Sequence, residues 1–156
     1  MVVTQCRARD VASLRALVAL DESQMQRVGL LTYELAGGAC EVVTIDALWP
    51  RSGIGTALLN RASELARDAG ATRVWLITTN DNLNAINFYE RRGFRLIAVH
   101  RGAVDQARLL KASIPLVAEN GIELHDELEL ELVLVPDVED PISSGTPRAR
   151  VPPSVT

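Results

Sequence analysis

A β-rich run, Cys40–Leu48 (CEVVTIDAL), passes through Trp49-Pro50-Arg51 into Ser52-Gly53-Ile54-Gly55-Thr56, and a strongly amphipathic stretch follows at once. No other part of the chain constrains the fold as much. A strand that turns on glycine into a helix leaves the first helical N–H groups without partners, with the helix dipole behind them. The helix predicted over Thr56–Ala69 puts Ala57, Leu58, Ala62, Leu65, Ala66 and Ala69 on one stripe, with Arg61, Glu64, Arg67 and Asp68 outside, and Gly70 stops it. Arg73–Thr78 (RVWLIT) then reads as a buried strand.

The flanking segments extend this pattern. Ala16–Leu20 reads as a strand running into the turn Asp21-Glu22-Ser23-Gln24, and two β-rich runs around Gly37-Gly38 (Val28–Leu35 and Cys40–Leu48) read as an antiparallel hairpin. Downstream, Thr79-Asn80-Asp81 caps a helix over 82–92 that Gly93 ends, followed by a strand at Phe94–His100 and a helix at Ala103–Lys111. Glu127–Val135 alternates Leu128, Leu130, Leu132 and Leu134 with Glu127, Glu129, Glu131 and Val133, as a strand with one buried and one wet face. The fold class is therefore α/β, a mixed and mostly antiparallel sheet flanked by helices. Residues 1–135 are expected to form one domain. The tail 136–156 holds five of the seven prolines and little to offset its ordering entropy, so it is expected to be disordered.

Composition excludes several function classes. With 156 residues, 47% of them hydrophobic, the chain needs no disulfide or metal to hold a core. Only two cysteines, Cys6 and Cys40, with no paired spacing, exclude a disulfide scaffold, and the lone His100 and His125 offer no metal-ligand spacing. No apolar run reaches the ~20 residues of a membrane helix, and the N-terminus lacks a signal pattern; the expected compartment is cytoplasmic. A net charge of −4 speaks against a nucleic-acid partner. The charge is uneven: Arg and Lys dominate from Arg51 to Lys111, while Ala112–Asp140 contains neither. That split suits an anionic ligand beside a cationic one, or simply two solvated faces.

The turn Arg51, Ser52, Gly53, Ile54, Gly55, Thr56 is an anion site made by backbone, with glycines that let a ligand come close. A mononucleotide P-loop needs Gly-Lys-Ser/Thr, and no lysine lies here; a dinucleotide fold needs a third glycine where Leu58 stands. The pyrophosphate of coenzyme A is the third ligand class. A second motif, Asn82-Leu83-Asn84-Ala85-Ile86-Asn87-Phe88-Tyr89-Glu90-Arg91-Arg92-Gly93-Phe94, carries Asn82 and Tyr89 seven residues apart. On a helix that spacing puts both on one face, about 10.5 Å apart along the axis. Ala85 leaves the face open between them, Phe88 and Phe94 read as core anchors, and Trp75 reads as sheet core.

Together the two motifs resemble the GNAT superfamily of N-acetyltransferases. The family pattern is Arg/Gln-x-x-Gly-x-Gly/Ala after a strand, then Asn-x-x-Ala-x-x-aromatic-Tyr-x-x-x-Gly-Phe. Gly53 and Gly55 match the first; Asn82, Ala85, Phe88, Tyr89, Gly93 and Phe94 match the second. Pro50 stands where the family usually has Arg or Gln, with Arg51 adjacent, and the fold is expected to lack the family's usual first strand and helices. The resemblance covers roughly residues 16–135. It implies acetyl-CoA as co-substrate, held by Arg51–Thr56, Asn82 and Tyr89, no metal, and a small-molecule or peptide amine as acceptor. A homodimer in which a neighbour covers Val2, Val3 and Leu14 is expected as well.

The implied reaction is direct attack of an amine on the thioester. A lysine-like amine is neutral only about once in 2,500 molecules at pH 7, which adds roughly 4.6 kcal/mol to the barrier, so proton removal matters. By the resemblance, Glu41 on the strand before the turn is the general base and Tyr89 protonates the leaving thiolate. Asp46 is the rival base; five residues on, it faces the other way in a regular strand, and a bulge would reverse that. The alternative reading is a non-catalytic coenzyme A-binding or regulatory module.

Overall fold

The structure is a computed structural model that describes residues 2–4 and 7–134; Cys6 and the tail expected to be disordered lie outside the described residues. In chain order the elements are β1 (Val2–Thr4), β2 (Arg7–Arg9), a 3₁₀ turn (Val11–Ser13), β3 (Arg15–Asp21), β4 (Gln26–Ala36), β5 (Ala39–Ala47), α1 (Ile54–Asp68), β6 (Arg73–Thr79), α2 (Leu83–Glu90), β7 (Arg95–His100), α3 (Ala103–Leu110) and β8 (Glu127–Val133). β1 and β2 pair with each other, and the other six strands form one sheet in the order β3-β4-β5-β6-β8-β7. The small N-terminal pair carries no periodic apolar signal, which is why the sequence pattern does not reveal it.

Within the main sheet only β5 and β6 run parallel, and they pair at four positions, from Ala39↔Arg73 to Val42↔Leu76. β5 continues to Ala47 and β6 to Thr79 without further pairing between them, so the two strands part. The cause of the parallel step is α1, which carries the chain back across the sheet, as a parallel connection requires. The helix buries Leu58, Leu59, Ala62, Ser63 and Ala66. Its alanines allow a close approach, and Ser63 satisfies its hydroxyl on the Leu59 carbonyl at 2.9 Å. Both α1 and α2 feed one core with Leu31, Tyr33, Cys40, Val42, Val74, Leu76 and Leu130 of the sheet, so both helices lie on the same face.

A second irregularity sits in β5. Tyr33 pairs with Val42, but Thr32 pairs with Thr44, so Val43 is an extra residue opposite β4. This is a β-bulge, and it shifts the side-chain alternation by one. Asp46, paired with Leu30, therefore shares a face with Thr44 and with Glu41, which pairs with Glu34. The 2.7 Å contact between the Thr32 and Thr44 hydroxyls lies on that same face.

The face opposite the helices corrects two expectations. The glutamates of β8 do not form a wet stripe: Glu127 is 2% exposed, Glu131 meets the Arg73 guanidinium at 2.9 Å, and Glu129 meets His100 at 3.0 Å. The reason is the strand order. β8 lies between β6 and β7, so cations from both neighbours reach its carboxylates diagonally. Trp75 is not core either; it is half-buried on this face with the Arg73 guanidinium 5.4 Å over its ring. The long connection from α3 to β8 is tied down by Asn80, whose amide donates to the Glu123 carbonyl at 2.8 Å and accepts from the His125 and Asp126 N–H groups at 3.1 Å. Arg108 adds bonds to the carbonyls of Ile114, Pro115 and Leu124.

Gly29 marks where α1 presses closest on the sheet. A Cβ there would come within 2.5 Å of Ile54 Cγ2 and 3.0 Å of Leu58 Cδ1. Gly29→Ala is therefore expected to destabilise the fold by about 1–3 kcal/mol through overpacking, read as a lower urea midpoint with an unchanged slope.

Candidate active site

The turn between β5 and α1 is built by backbone conformation. Arg51 has φ +61° and Gly53, the N-cap, has φ +83°. Left-handed residues on either side of Ser52 turn successive N–H groups toward one side, forming an anion-binding concavity. The Ser52 hydroxyl fixes the turn by donating to the Trp49 carbonyl at 2.6 Å. No side chain caps the helix, and its first internal bond runs from the Ala57 N–H to the Gly53 carbonyl. The N–H groups of Ile54, Gly55 and Thr56 precede that bond and stand at the positive end of the helix dipole, an arrangement suited to an anion.

A cleft of about 960 Å³ opens between this turn, the end of β5 and α2. Of the six turn residues proposed from sequence, all but Ile54 line it; Ile54 instead packs into the core above Gly29. Ile45 and Ala47 floor the cleft, while Ala85, Phe88, Tyr89, Arg91 and Arg92 form the opposite wall. Gly55 serves the packing of that wall, because a Cβ there would lie 3.3 Å from Phe88 Cζ. The glycine makes room for a neighbouring ring.

Asn82 has a different place from the one its spacing suggests. It precedes α2 as the N-cap, outside the helix, and its side-chain oxygen accepts from the Ala85 N–H at 3.2 Å. It therefore does not share a helical face with Tyr89, and the cleft is lined instead by Asn84 and Asn87. Tyr89 is buried, with Phe88 edge-on at 5.2 Å and Phe94 at 5.4 Å between ring centres. Burial, and next the negative charge of Asp46, push its hydroxyl up to about 12. The phenol thus stays protonated and able to donate throughout the neutral range.

Arg92 was missed by motif reasoning. Its guanidinium stacks on Phe88 at 3.6 Å, donates to the Phe88 carbonyl at 2.6 Å and reaches Thr56 Oγ1 through Nε at 3.0 Å. It thereby ties the first turn of α1 to the end of α2 and places a fixed cation in the cleft. The only sequence signal was the Arg91-Arg92 pair before Gly93. Glu41, expected to act as a base, is 7% exposed, and its carboxylate meets the Arg9 guanidinium at 2.7 Å. Arg9 also reaches Glu34 at 2.7 Å. Asp46, by contrast, is exposed. Cys40 is buried in the core, and burial followed by the Glu41 charge pushes its thiol up to about 11, which removes it as a nucleophile. Among the described residues, no group of three His, Cys, Asp or Glu is placed to hold a metal ion, and no helix is long and apolar enough to cross a membrane.

Comparison with known proteins agrees with this geometry. Residues 6–94 match the acetyltransferase (GNAT) family. The chain is 46% identical over 121 residues to the uncharacterized protein YdhI of Bacillus subtilis (strain 168), spanning 78% of this chain and 75% of that one. It is also 46% identical over 110 residues to the uncharacterized protein YxbD of the same organism, spanning 70% and 68%. A GNAT family acetyltransferase from Elizabethkingia anophelis, solved with acetyl-CoA bound, aligns with a TM-score of 0.66 over 79% of this chain and 78% of that one at 21% identity, a likeness of fold. Its sheet, its glycine turn and the family match over more than half of its length make this chain a member of the acetyltransferase (GNAT) family.

Proposed function

We propose that the protein transfers the acetyl group of acetyl-CoA to a primary amine, on a small molecule or a peptide, by direct attack. The observation that carries this reading is the cleft that runs from a backbone anion site at the turn to a buried, protonated tyrosine hydroxyl. The ends differ in the way the ligand does: phosphates at one, a thioester at the other. Backbone N–H groups from Arg51 to Thr56 hold the pyrophosphate. Arg92 supplies the cationic side chain that Pro50 does not. The edge of β5 that has left β6 offers backbone groups to the amides of the pantetheine arm, much as an added strand would. Asn82 acts one step removed, by capping the helix that carries Tyr89.

At the reacting end Tyr89 donates a hydrogen bond to the sulfur as negative charge grows on it. Full transfer from a group near 12 to a thiolate, with a reference value of about 8.5, is uphill by roughly three units, so the phenol stabilises the sulfur and solvent completes the protonation. This differs from a simple general acid, and it matches the donor to the transition state rather than to the ground state.

Three experiments test the reading. Acetyl-CoA is expected to raise the melting temperature by several degrees where ATP and NAD do not, with thiol release on adding amines. Under those conditions Tyr89→Phe should lower kcat by about 10²–10³-fold, the usual loss for one preorganised donor, with the KM for acetyl-CoA unchanged. A variant with full turnover assigns the tyrosine to packing alone. Arg92→Ala should weaken acetyl-CoA binding by about 10–100-fold in calorimetry, as expected for lost charge-assisted bonds, while the far-UV spectrum stays native. Unchanged affinity would leave Arg92 only its tie between the two helices.

A further inference from the structure

The two ends of the main sheet differ in how they meet another strand. β7 forms one end, and Ile97 is an extra residue opposite β8, a bulge that spoils the edge for further pairing. β3 forms the other end and, among the described residues, pairs with β4 alone. The register shift at this end falls in β4, where Val28 is the extra residue, so β3 runs unbroken from Arg15 to Asp21. Residues 16–20 contain no charge and no proline. Leu17 and Ala19 turn to the helix side and pack against the core. Ala16, Val18 and Leu20 turn the other way and are exposed, Val18 by 47% and Leu20 by 63%. Leu30, which pairs with Val18, widens the same apolar strip. A straight apolar edge is a template for another strand.

We infer that β3 pairs antiparallel with β3 of a second copy of this chain, about a two-fold axis at Val18. The sequence Arg15-Ala16-Leu17-Val18-Ala19-Leu20-Asp21 is complementary to itself in that register. Arg15 of one copy meets Asp21 of the other, Ala16 meets Leu20, Leu17 meets Ala19, and Val18 meets Val18. Each leucine faces an alanine across the strands, and opposite charges close both ends. A slip of two residues, the smallest that keeps both helix sides on one face, sets Val18 against Ala16 or Leu20 and parts Arg15 from Asp21. Asp21 is placed for the contact: Ser23 and Gln24 bind it through Oδ1, at 2.6 Å for the Ser23 hydroxyl, which leaves Oδ2 to take a guanidinium. The helices permit the approach. α1 lies over β4 and β5, and the two copies of β4 would stand three strand spacings apart, about 14 Å, beyond the roughly 8–10 Å of packed helices. Of the residues at which a covering neighbour is expected, Leu14 leads directly into this edge. A pair of seven-residue strands is a small interface, so the dimer exchanges with monomer in about the micromolar range.

Sedimentation velocity of the full chain over about a hundredfold range of concentration should show monomer passing into dimer. Val18→Lys sets two like charges against each other at the axis, on a side chain that is exposed in the single copy, and should keep the protein monomeric with an unchanged far-UV spectrum. Cross-linking reads the register. In a Cys6→Ser background, Val18→Cys puts two Cα atoms about 4.5–5.5 Å apart across the axis, within disulfide reach, and mild oxidation should give a covalent dimer. Leu20→Cys puts them about 13 Å apart along the strands and should give none. A monomer at every concentration overturns the pairing of copies and leaves the edge to a strand of a different chain. A dimer that survives Val18→Lys overturns β3 as the shared edge. A dimer that cross-links through Leu20→Cys, or fails to through Val18→Cys, overturns the register.

Discussion

β5 and β6 pair for four residues and then separate, and the rest of the site hangs on that separation. A parallel pair could have continued, since both strands run on for several residues. Instead the chain leaves β5 through a turn with two left-handed residues, at Arg51 and Gly53, and enters α1. The opening exposes backbone groups on the inner edge of β5 that a continuous sheet would have consumed. The same opening lets a charge on one face of the sheet act on a hydroxyl held by the other.

The two faces of the sheet are stabilised by different physics. On the helix side, small residues of α1 and the aromatic pair Tyr89 and Phe94 close an apolar core, and the close fit leaves no room for a Cβ at Gly29. On the other side, carboxylates of β4, β5 and β8 are met by Arg9, Arg73 and His100. Ion pairs of this kind offset their desolvation cost rather than add much stability. Their effect is on position: they fix Glu41 and Glu129 in place and leave Asp46 as an exposed carboxylate beside the opening.

Much of the fold was legible in the sequence because local signals and tertiary packing agree. The amphipathic stripe of α1, the alternation of β8 and the glycine turn each appear close to where their patterns put them. The N-terminal pair β1 and β2 was not legible, since three-residue strands are too short to show a period. Asn82 was misplaced for a related reason. A cap and a first helical residue look alike in spacing, and only the backbone angles, φ −82° and ψ 62°, separate them.

The sequence by itself determined the family, the turn and the helix that line the cleft, and the tyrosine in its wall, because those depend on residues near one another in the chain. The tertiary structure alone decided the rest. The single extra residue Val43 moved Asp46 to the face of Glu41, a consequence of pairing with β4 that no pattern within β5 announces. Arg9 reached Glu41 and Arg92 reached Thr56 across 32 and 36 positions of chain. The charged face of β8 became partly buried because of its place between β6 and β7. Each of these is a contact between distant segments, set by strand order and register, which a chain acquires only when the whole sheet has formed.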